Sequence, residues 1–298
     1  MAIPENQLET WCNPGAMVTS AAAYTSIKAA LAHERSRVRA MNPEIYLQGS
    51  YGNSTNIYAD SDVDVVVQYN SAWYPDVSKL PAAQQQVYQS AYSNSAYVWK
   101  QFQADVIESL RAYYGVAAVV PGNKAIKVRV PNGRTVDVVP AFQFRQYSLF
   151  QSPAVELHIE GVRFEDKSGR VVVNYPKLHI ENGEAKNGQA RTSGRYKQTV
   201  RMFKNARNCA IERRILAADA APSYFIECVL YNVPDTYFSG ARQVTFSGIV
   251  DYLNSTLQVD GAVCQNGQIK LFGNAAEQWD VAKGAALVSA LISLWNNW

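Results

Sequence analysis

Apolar and polar residues alternate along short stretches in the first half of the chain, and they recur at helical spacing in the second half. The stretches "EIYLQ" (44–48) and "DVDVVVQY" (62–69) alternate as strands do, and a connection rich in Gly, Ser and Asn joins them. Residues 16–40 are rich in good helix formers and have no Gly or Pro in their interior, which predicts a helix. Residues 82–113 predict one or two polar helices with aromatic stripes.

Two hairpins are predicted in the middle of the chain. The stretches "KAIKVRV" and "RTVDVVPAF" flank "PNG", which is a strong hairpin signal. A second hairpin is predicted within residues 161–175, around "KSGR". The strand pattern ends near residue 190, and four helical segments follow. They span about 190–216, 223–232, 241–257 and 275–296. The pattern therefore predicts an α+β fold that becomes mainly helical from about residue 180.

Composition excludes several classes of protein. The 298 residues contain no apolar run near the ~20 residues of a membrane span, and the N-terminus lacks the basic head and apolar segment of a secretory signal, so we expect a cytoplasmic location and no membrane partner. The four cysteines are far apart and only three histidines occur, which disfavours disulfides and structural zinc. Residues 186–214 hold nine Lys or Arg against one acid, which suggests an anionic partner.

Three aspartates within strand patterns are the candidate catalytic groups. On a strand, Asp62 and Asp64 point to one face while Val63, Val65 and Val67 point to the other. Asp137, in "TVDVVP", occupies a similar position in a second predicted strand. If these strands are neighbours, three carboxylates converge, and carboxylates without His or Cys select Mg²⁺ or Mn²⁺. Two such ions about 4 Å apart suit an in-line displacement at phosphorus.

An isolated Asp-x-Asp has simpler explanations. Such a pair often lies at a strand edge beside a turn and binds nothing. A calcium loop is a further alternative, although the Gly and Glu of an EF-hand are missing at the required spacing. The residues upstream favour a nucleotide site. Gly49 and Ser50 follow a predicted strand, and Ser50 precedes Asp62 by 12 residues. A glycine allows close approach of the backbone to a ligand, and N–H groups with a Ser hydroxyl can cradle phosphate oxygens.

This combination resembles the polymerase β type of nucleotidyltransferase. The stretches "GSYGNSTNIYADSDVDVVV", "RYKQTVRMFKNARN" and "APSYFIECVLYNVPD" together resemble the bacterial relatives of cyclic GMP-AMP synthase called CD-NTases. The resemblance implies a bilobal polymerase β-like fold with a mixed, mainly antiparallel sheet. Residues 1–180 would form the nucleotidyltransferase core, and residues 181–298 a helical C-terminal lobe that completes the nucleotide-binding cleft.

The resemblance also implies a reaction. Nucleoside triphosphates (ATP, GTP, UTP or CTP) would be joined into a cyclic di- or trinucleotide second messenger for antiphage (CBASS) signalling. Asp62, Asp64 and Asp137 would hold two Mg²⁺ or Mn²⁺ ions, and Asp137 would help to deprotonate a ribose hydroxyl that attacks the donor α-phosphate. Pyrophosphate would leave while held by the metal, Gly49, Ser50 and a lysine.

Residues in the second half would complete the nucleotide site. By resemblance, Lys204 reaches the donor triphosphate, Ser223 contacts a phosphate and Tyr224 stacks on a base. Lys197 is a further phosphate candidate, because Lys197, Arg201 and Lys204 recur at i, i+4 and i+7 on one helical face. A solvated basic face, a helix cap at Ser223 and a core position for Tyr224 are the simpler alternatives.

The expected partners follow from the same resemblance. A product-sensing effector protein and a regulatory protein partner fit such a signalling enzyme. Stable nucleic-acid binding is not expected, because the Cys/His zinc insertion of the animal relatives is absent. Two other functions stay open: a nucleotidyltransferase that modifies RNA ends, a protein or a small molecule, and a catalytically silent nucleotide-binding scaffold. At the C-terminus, the tryptophans of "ISLWNNW" predict a docked terminal helix.

Overall fold

The computed structural model divides the chain into two compact units. The sheet unit comprises Val18–Gln48 and Ser61–Pro176, and the helical unit comprises Met1–Met17, Gly49–Asp60 and Lys177–Trp298. For Val18 and Thr19 only the backbone is described. The structure describes residues 2–15, 18–58, 63–131, 133–256, 261–275 and 277–298.

A mixed, mainly antiparallel sheet forms the centre of the sheet unit. Within the described residues its strands are β1 (Glu44–Gln48), β2 (Val63–Asp76), β3 (Val119–Pro121), β4 (Ile126–Arg129), β5 (Thr135–Ser152), β6 (Val155–Glu165) and β7 (Val171–Asn174). The order is β1-β2-β5-β4-β3, and β6 pairs with the second half of β5 and with β7. Only β2 and β5 run parallel among the described pairs. Both predicted hairpins are confirmed, as β4–β5 and β6–β7.

Helices of the sheet unit cover the strands with apolar side chains. They are α2 (Val18–Ala32), α4 (Ala82–Ala91) and α5 (Trp99–Tyr114). In α5, Phe102, Val106 and Leu110 recur every four residues and are fully buried. Helices α4 and α5 occupy the region 82–113, where one or two helices were predicted.

The helical unit packs around α7. Its helices are α1 (Glu5–Trp11), α3 (Gly49–Gly52), α6 (Pro176–Asn187), α7 (Arg195–Glu212), α8 (Ser223–Tyr231), α9 (Arg242–Thr256) and α10 (Val281–Asn296). Phe203 stacks on Phe246, whose ring also stacks on Trp295 at centroid distances of 4.9 and 5.4 Å. Trp298 packs edge-on against Trp11 at 5.6 Å. The predicted docking of the C-terminal tryptophans is thereby confirmed.

The division of the chain differs in detail from the predicted domains 1–180 and 181–298. The long C-terminal segment begins at Lys177, close to the predicted boundary, but residues 1–17 and 49–60 group with the C-terminal helices and not with the sheet. Helix α6 also begins in a segment where no helix was predicted. No helix in the described ranges is long and apolar enough to cross a membrane.

Candidate active site

Two of the three predicted catalytic aspartates are neighbours across the β2–β5 pair. Asp64 and Asp137 are direct register partners in this parallel ladder. Gln48 lies opposite Asp64 on the other side, and Lys127 lies opposite Asp137. Because register partners project to the same face of a sheet, these four side chains form one row across four strands, about 4.8 Å apart from strand to strand. Asp62, the third predicted ligand, lies outside the described residues.

One carboxylate oxygen of Asp137 is buried, and its loss of water is only weakly offset by contacts with other described groups. Its Oδ1 is buried and makes no hydrogen bond among the described residues. An ion pair joins this oxygen to Lys127 Nζ at 3.4 Å, and the lysine side chain is 53% exposed. A half-exposed pair of this kind is screened by water and contributes little. Two adjacent carboxylates also repel each other, so the pair favours a bound cation.

The donor set fits a hard divalent cation. Asp64 and Asp137 offer only oxygen ligands, and ions such as Mg²⁺ and Mn²⁺ prefer carboxylate oxygen. Among the described residues no cluster of three or more His, Cys, Asp or Glu side chains could hold a metal ion. The pair therefore supplies two ligand groups in the described part of the chain, and the remaining predicted carboxylate is that of Asp62.

The predicted phosphate-binding residues Gly49 and Ser50 belong to the helical unit. Gly49 has a positive φ of 63°, which glycine adopts without strain, and it starts the short helix α3 directly after β1. Its carbonyl accepts from Asn53 N–H at 3.0 Å, and the Ser50 carbonyl accepts from Thr55 N–H at 2.8 Å. The segment therefore turns back on itself. Phosphate binding by Gly49 and Ser50 stays a prediction.

Lys204 lies inside the helical unit. Its side chain is fully buried, and its ammonium donates to the Thr55 carbonyl at 3.1 Å and to Thr55 Oγ1 at 3.3 Å. It also forms an ion pair with Glu227 Oε1 at 2.7 Å. The lysine predicted to reach a triphosphate is thus held by side-chain and main-chain oxygens of its own unit. Its contact with a nucleotide stays a prediction.

Glu227 is the centre of this buried network. Its carboxylate accepts from Thr55 Oγ1 at 2.8 Å and from His179 Nε2 at 3.0 Å, in addition to Lys204. Burial alone would raise the pKa of Glu227, but the charge of Lys204 and the hydrogen bond from His179 lower this pKa to about 2. Sequence reasoning missed Glu227. The signal was a single acid within the otherwise apolar helix "SYFIECVLY", where an unpaired carboxylate would be costly.

The other basic residues of α7 also contact protein groups. Arg201 donates to the carbonyls of Cys12 and Ser54, both at 2.6 Å. Lys197 is 6% exposed and forms an ion pair with Glu184. The predicted basic face is therefore not a solvated one. Arg201 and Lys204 bind the N-terminal segment and the residues after α3, and Lys197 binds α6.

Ser223 and Tyr224 begin α8. Pro222 occupies the N-cap position and Ser223 is the first helical residue, so a serine cap is not what the structure shows. The hydroxyl of Ser223 accepts from Arg207 Nη2 at 3.1 Å. Tyr224 stacks on His179 with ring centroids 5.0 Å apart, and burial raises the pKa of its phenol far above the usual value. Their contacts with phosphate and base stay predictions.

Comparison with known families gives a match in the C-terminal region. Residues 181–296 match the family described as cGAS/DncV-like nucleotidyltransferase C-terminal helical domain. The chain is 44% identical over 299 residues to a cyclic UMP-AMP synthase of Rhodothermus marinus, covering all of this chain and 99% of that protein. It is 36% identical over 306 residues to the cyclic nucleotide synthase CdnE01 of Staphylococcus haemolyticus, with all of both chains covered.

Solved structures give the same answer for the fold. The Rhodothermus marinus CdnE c-UMP-AMP synthase with Apcpp and Upnpp has a TM-score of 0.89 at 44% identity, covering 99% of this chain and 97% of that one. The Elizabethkingia meningoseptica CdnE cyclic dinucleotide synthase with GTP and Apcpp has a TM-score of 0.78 at 28% identity, covering 99% of this chain and all of that one.

Proposed function

This chain belongs to the cGAS/DncV-like nucleotidyltransferases, the CD-NTases, and we propose that it joins uridine and adenosine nucleotides into a cyclic dinucleotide. The predicted family, α+β fold class and nucleotidyltransferase activity are confirmed by the full-length relatives, as is synthesis of a cyclic nucleotide. The choice of uridine and adenosine is supported by the 44% identity to a cyclic UMP-AMP synthase over the whole chain.

The single observation that carries the chemistry is the Asp64–Asp137 register pair. In the proposed reaction a ribose hydroxyl of one nucleotide forms a bond to the α-phosphorus of the second nucleotide, and the bond to pyrophosphate breaks. In this proposal Asp137 takes the hydroxyl proton, and support comes from its buried Oδ1, which makes no hydrogen bond among the described residues. A second round of the same step, with the roles of the two nucleotides exchanged, closes the ring.

We further propose that Asp62, Asp64 and Asp137 together hold Mg²⁺ or Mn²⁺, with two ions in each active site. Support comes from the oxygen-only donors of the described pair and from the buried Asp137 oxygen that makes no hydrogen bond among the described residues. When bound, such ions supply positive charge at the phosphate oxygens and make the attacking hydroxyl more acidic. The aspartates meanwhile fix the position of that charge on a rigid sheet.

Antiphage signalling through an effector protein that senses the product is the proposed biological setting. It is supported by the resemblance of the three quoted stretches to CD-NTases and by membership in that family. A regulatory protein partner is part of the same proposal.

The experiment that tests the activity uses the purified full chain with all four NTPs and Mg²⁺ or Mn²⁺. After phosphatase treatment, mass spectrometry should detect a resistant product with the mass of cyclic UMP-AMP, and Asp64→Asn should abolish it. Asp251→Asn is the matched control, since Asp251 is an exposed acid on α9. A different cyclic product would overturn the choice of bases. Label that stays on RNA or protein would favour a modifying transferase, and NTP binding without turnover would favour a silent scaffold.

A further inference from the structure

A cavity of about 550 Å³ lies in the sheet unit, where the ladder between β2 and β5 is interrupted. The register passes from Tyr69 opposite Phe142 directly to Trp73 opposite Gln143. The three residues 70–72 of β2 thus have no partner on β5, and Ser71 and Ala72 line the cavity. Such an irregularity frees main-chain N–H and C=O groups from the ladder, and irregularities of this kind often accompany binding sites. One wall of the cavity therefore offers main-chain hydrogen-bonding groups.

Aromatic rings form much of the remaining wall. They supply six of the fourteen lining residues that the structure describes: Trp73, Tyr74, Tyr88, Tyr92, Tyr97 and Phe142. Their positions are fixed before any ligand binds. Trp73 Nε1 donates to the Tyr88 hydroxyl at 3.0 Å, Trp73 packs edge-on against Tyr92 at 5.0 Å, and the Tyr97 hydroxyl donates to Asp105 at 2.7 Å. Rigid aromatic walls favour a flat ligand that packs against ring faces and edges.

None of the lining residues within the described part of the chain carries a charged side chain. Arg145 stacks on the Trp73 ring at 3.8 Å, but its guanidinium is already bound to Gln143 at 2.8 Å and to Glu156 at 3.3 Å. The polar side chains among the described lining residues are neutral ones: the tyrosines, Ser71 and the linker segment 93–95 (Ser-Asn-Ser). Phosphate recognition needs cationic donors, so this chemistry suits an uncharged ligand.

The cavity is separate from the aspartate pair. Phe142 follows Asp137 by five residues on β5, which corresponds to about 17 Å at the usual rise of a strand. A ligand in the cavity would therefore not take part in the phosphoryl chemistry at the aspartates.

We propose that this cavity binds an uncharged planar heteroaromatic ring of the size of a nucleobase. The volume lies in the ordinary range of small-molecule sites, roughly 300–1,000 Å³. Ring faces of the wall provide stacking, and the main-chain groups of Ser71 and Ala72 with the hydroxyls and amide of segment 93–95 provide donors and acceptors for the ring edge. The proposal does not rest on the proposed function.

The test measures binding of the four nucleosides and of their 5′-monophosphates to the full-length protein by calorimetry. Saturating non-hydrolysable ATP and UTP analogues are present throughout, so that the catalytic nucleotide site is filled. At least one nucleoside should bind with a dissociation constant below about 1 mM. Its monophosphate should bind within about threefold as tightly, and about 0.5 M NaCl should leave both affinities unchanged, because the described lining residues include no cation.

Ala91→Trp is the variant that assigns the binding to this cavity, because Ala91 lines it from the exposed end of α4. It should weaken nucleoside binding at least about tenfold, a cost near 1.4 kcal/mol. Amide hydrogen exchange of the unsubstituted protein gives a second measurement, in which the nucleoside should slow exchange in segments 71–73 and 93–97. The proposal is overturned by the absence of saturable binding, by unchanged affinity in a folded Ala91→Trp protein, by protection elsewhere only, or by a monophosphate preference that salt removes.

Discussion

Lys204 and Glu227 form an ion pair that is almost completely buried, with Nζ 2.7 Å from Oε1 and side-chain exposures of 0% and 4%. The two residues lie on α7 and α8, and both also contact Thr55. A buried pair of this kind tolerates the loss of one partner poorly, because the remaining charge keeps its desolvation cost without its counter-charge. The pair therefore ties two helices of the helical unit to the segment that follows α3.

Substitution of one partner should be strongly destabilising. We expect Lys204→Met to lower the free energy of unfolding by about 3–5 kcal/mol, since it leaves the Glu227 carboxylate buried beside an apolar group. Lys204→Met with Glu227→Leu should cost clearly less than the sum of the two single substitutions. Urea unfolding of all four proteins measures this coupling. Asp219→Asn, which breaks the exposed pair of Asp219 with Lys283, is the control and should leave the midpoint unchanged. Additive costs for the first pair would contradict the argument.

Glu227 should also make stability depend on acid pH. Its folded-state pKa is about 2, below the ordinary value of 4.5, so the unfolded chain takes up the proton first. The stabilisation is complete above pH 4.5 and is lost as the pH falls towards 2. The difference between these two pKa values corresponds to about 3 kcal/mol of the free energy of unfolding. Unfolding measured from pH 6 to pH 2 should show a steeper loss for the unsubstituted protein than for Glu227→Gln, and parallel curves would refute the assignment to Glu227.

The positions of Asp64 and Asp137 on their strands could be predicted from the sequence because alternation fixes the face of each residue. Val63, Val65 and Val67 are fully buried, as the pattern requires, and the register then places Asp64 beside Asp137. The hairpin signal at "PNG" located β5 equally well. Strand alternation and the hairpin depend on residues close together in the chain, where periodicity and turn chemistry are informative. The pairing of β2 with β5 was only a hypothesis at the level of sequence, and the register confirms it.

Features that depend on distant residues escaped prediction. Arg201 binds the carbonyls of Cys12 and Ser54, which are 189 and 147 positions away, and no periodicity reveals such bonds. They are among the contacts that join the N-terminal segment and the residues after α3 to the C-terminal helices of the helical unit. The same holds for Glu227 and Thr55, which are 172 positions apart. Charges on an amphipathic helix indicate a polar face, but not whether that face meets water, phosphate or protein oxygens.

Divalent cations should stabilise the protein in the absence of any nucleotide. If Asp137 is a ligand, Mg²⁺ should raise the melting temperature by relieving the repulsion within the Asp64–Asp137 pair. Differential scanning fluorimetry with and without EDTA measures this shift. Asp137→Asn should reduce the shift to less than half, whereas the exposed control Asp251→Asn should retain it. Equal shifts in all three proteins would exclude Asp137 from the metal site.

Gly49 should be intolerant of a side chain because of its backbone conformation. With φ at 63° it lies in the left-handed region, where a Cβ costs roughly 1–2 kcal/mol. We expect Gly49→Ala to lower the free energy of unfolding by about this amount and to raise KM for NTP, if the segment that starts at Gly49 binds phosphate. Gly169→Ala is a matched control, because Gly169 also has a positive φ but lies in the β6–β7 turn. It should carry a similar stability cost and leave KM unchanged, and a KM effect of equal size would remove the reason to assign phosphate binding to Gly49.

Tyr224 should act through its ring and not through its hydroxyl. The ring stacks on His179 at 5.0 Å and packs against Trp279 at 5.8 Å. The hydroxyl accepts a long hydrogen bond from Asn266 at 3.3 Å, and its other described partners are the thiols of Cys228 and Cys264, which are weak hydrogen-bonding groups. Tyr224→Phe should therefore keep the unfolding free energy within about 1 kcal/mol and KM within about threefold.

Tyr224→Leu tests whether the ring stacks on a nucleotide base or only packs in the core of the helical unit. It retains apolar bulk but removes the π-face, so KM for the nucleotide whose base stacks there should rise about tenfold or more, in line with the ~1–3 kcal/mol of a base–aromatic stack. Steady-state kinetics with each NTP varied in turn measures this, and circular dichroism checks the fold. A rise for one nucleotide only would support base stacking by Tyr224. Unchanged KM values in a folded Tyr224→Leu protein would assign this residue to the core of the helical unit, where His179 and Trp279 already pack against it.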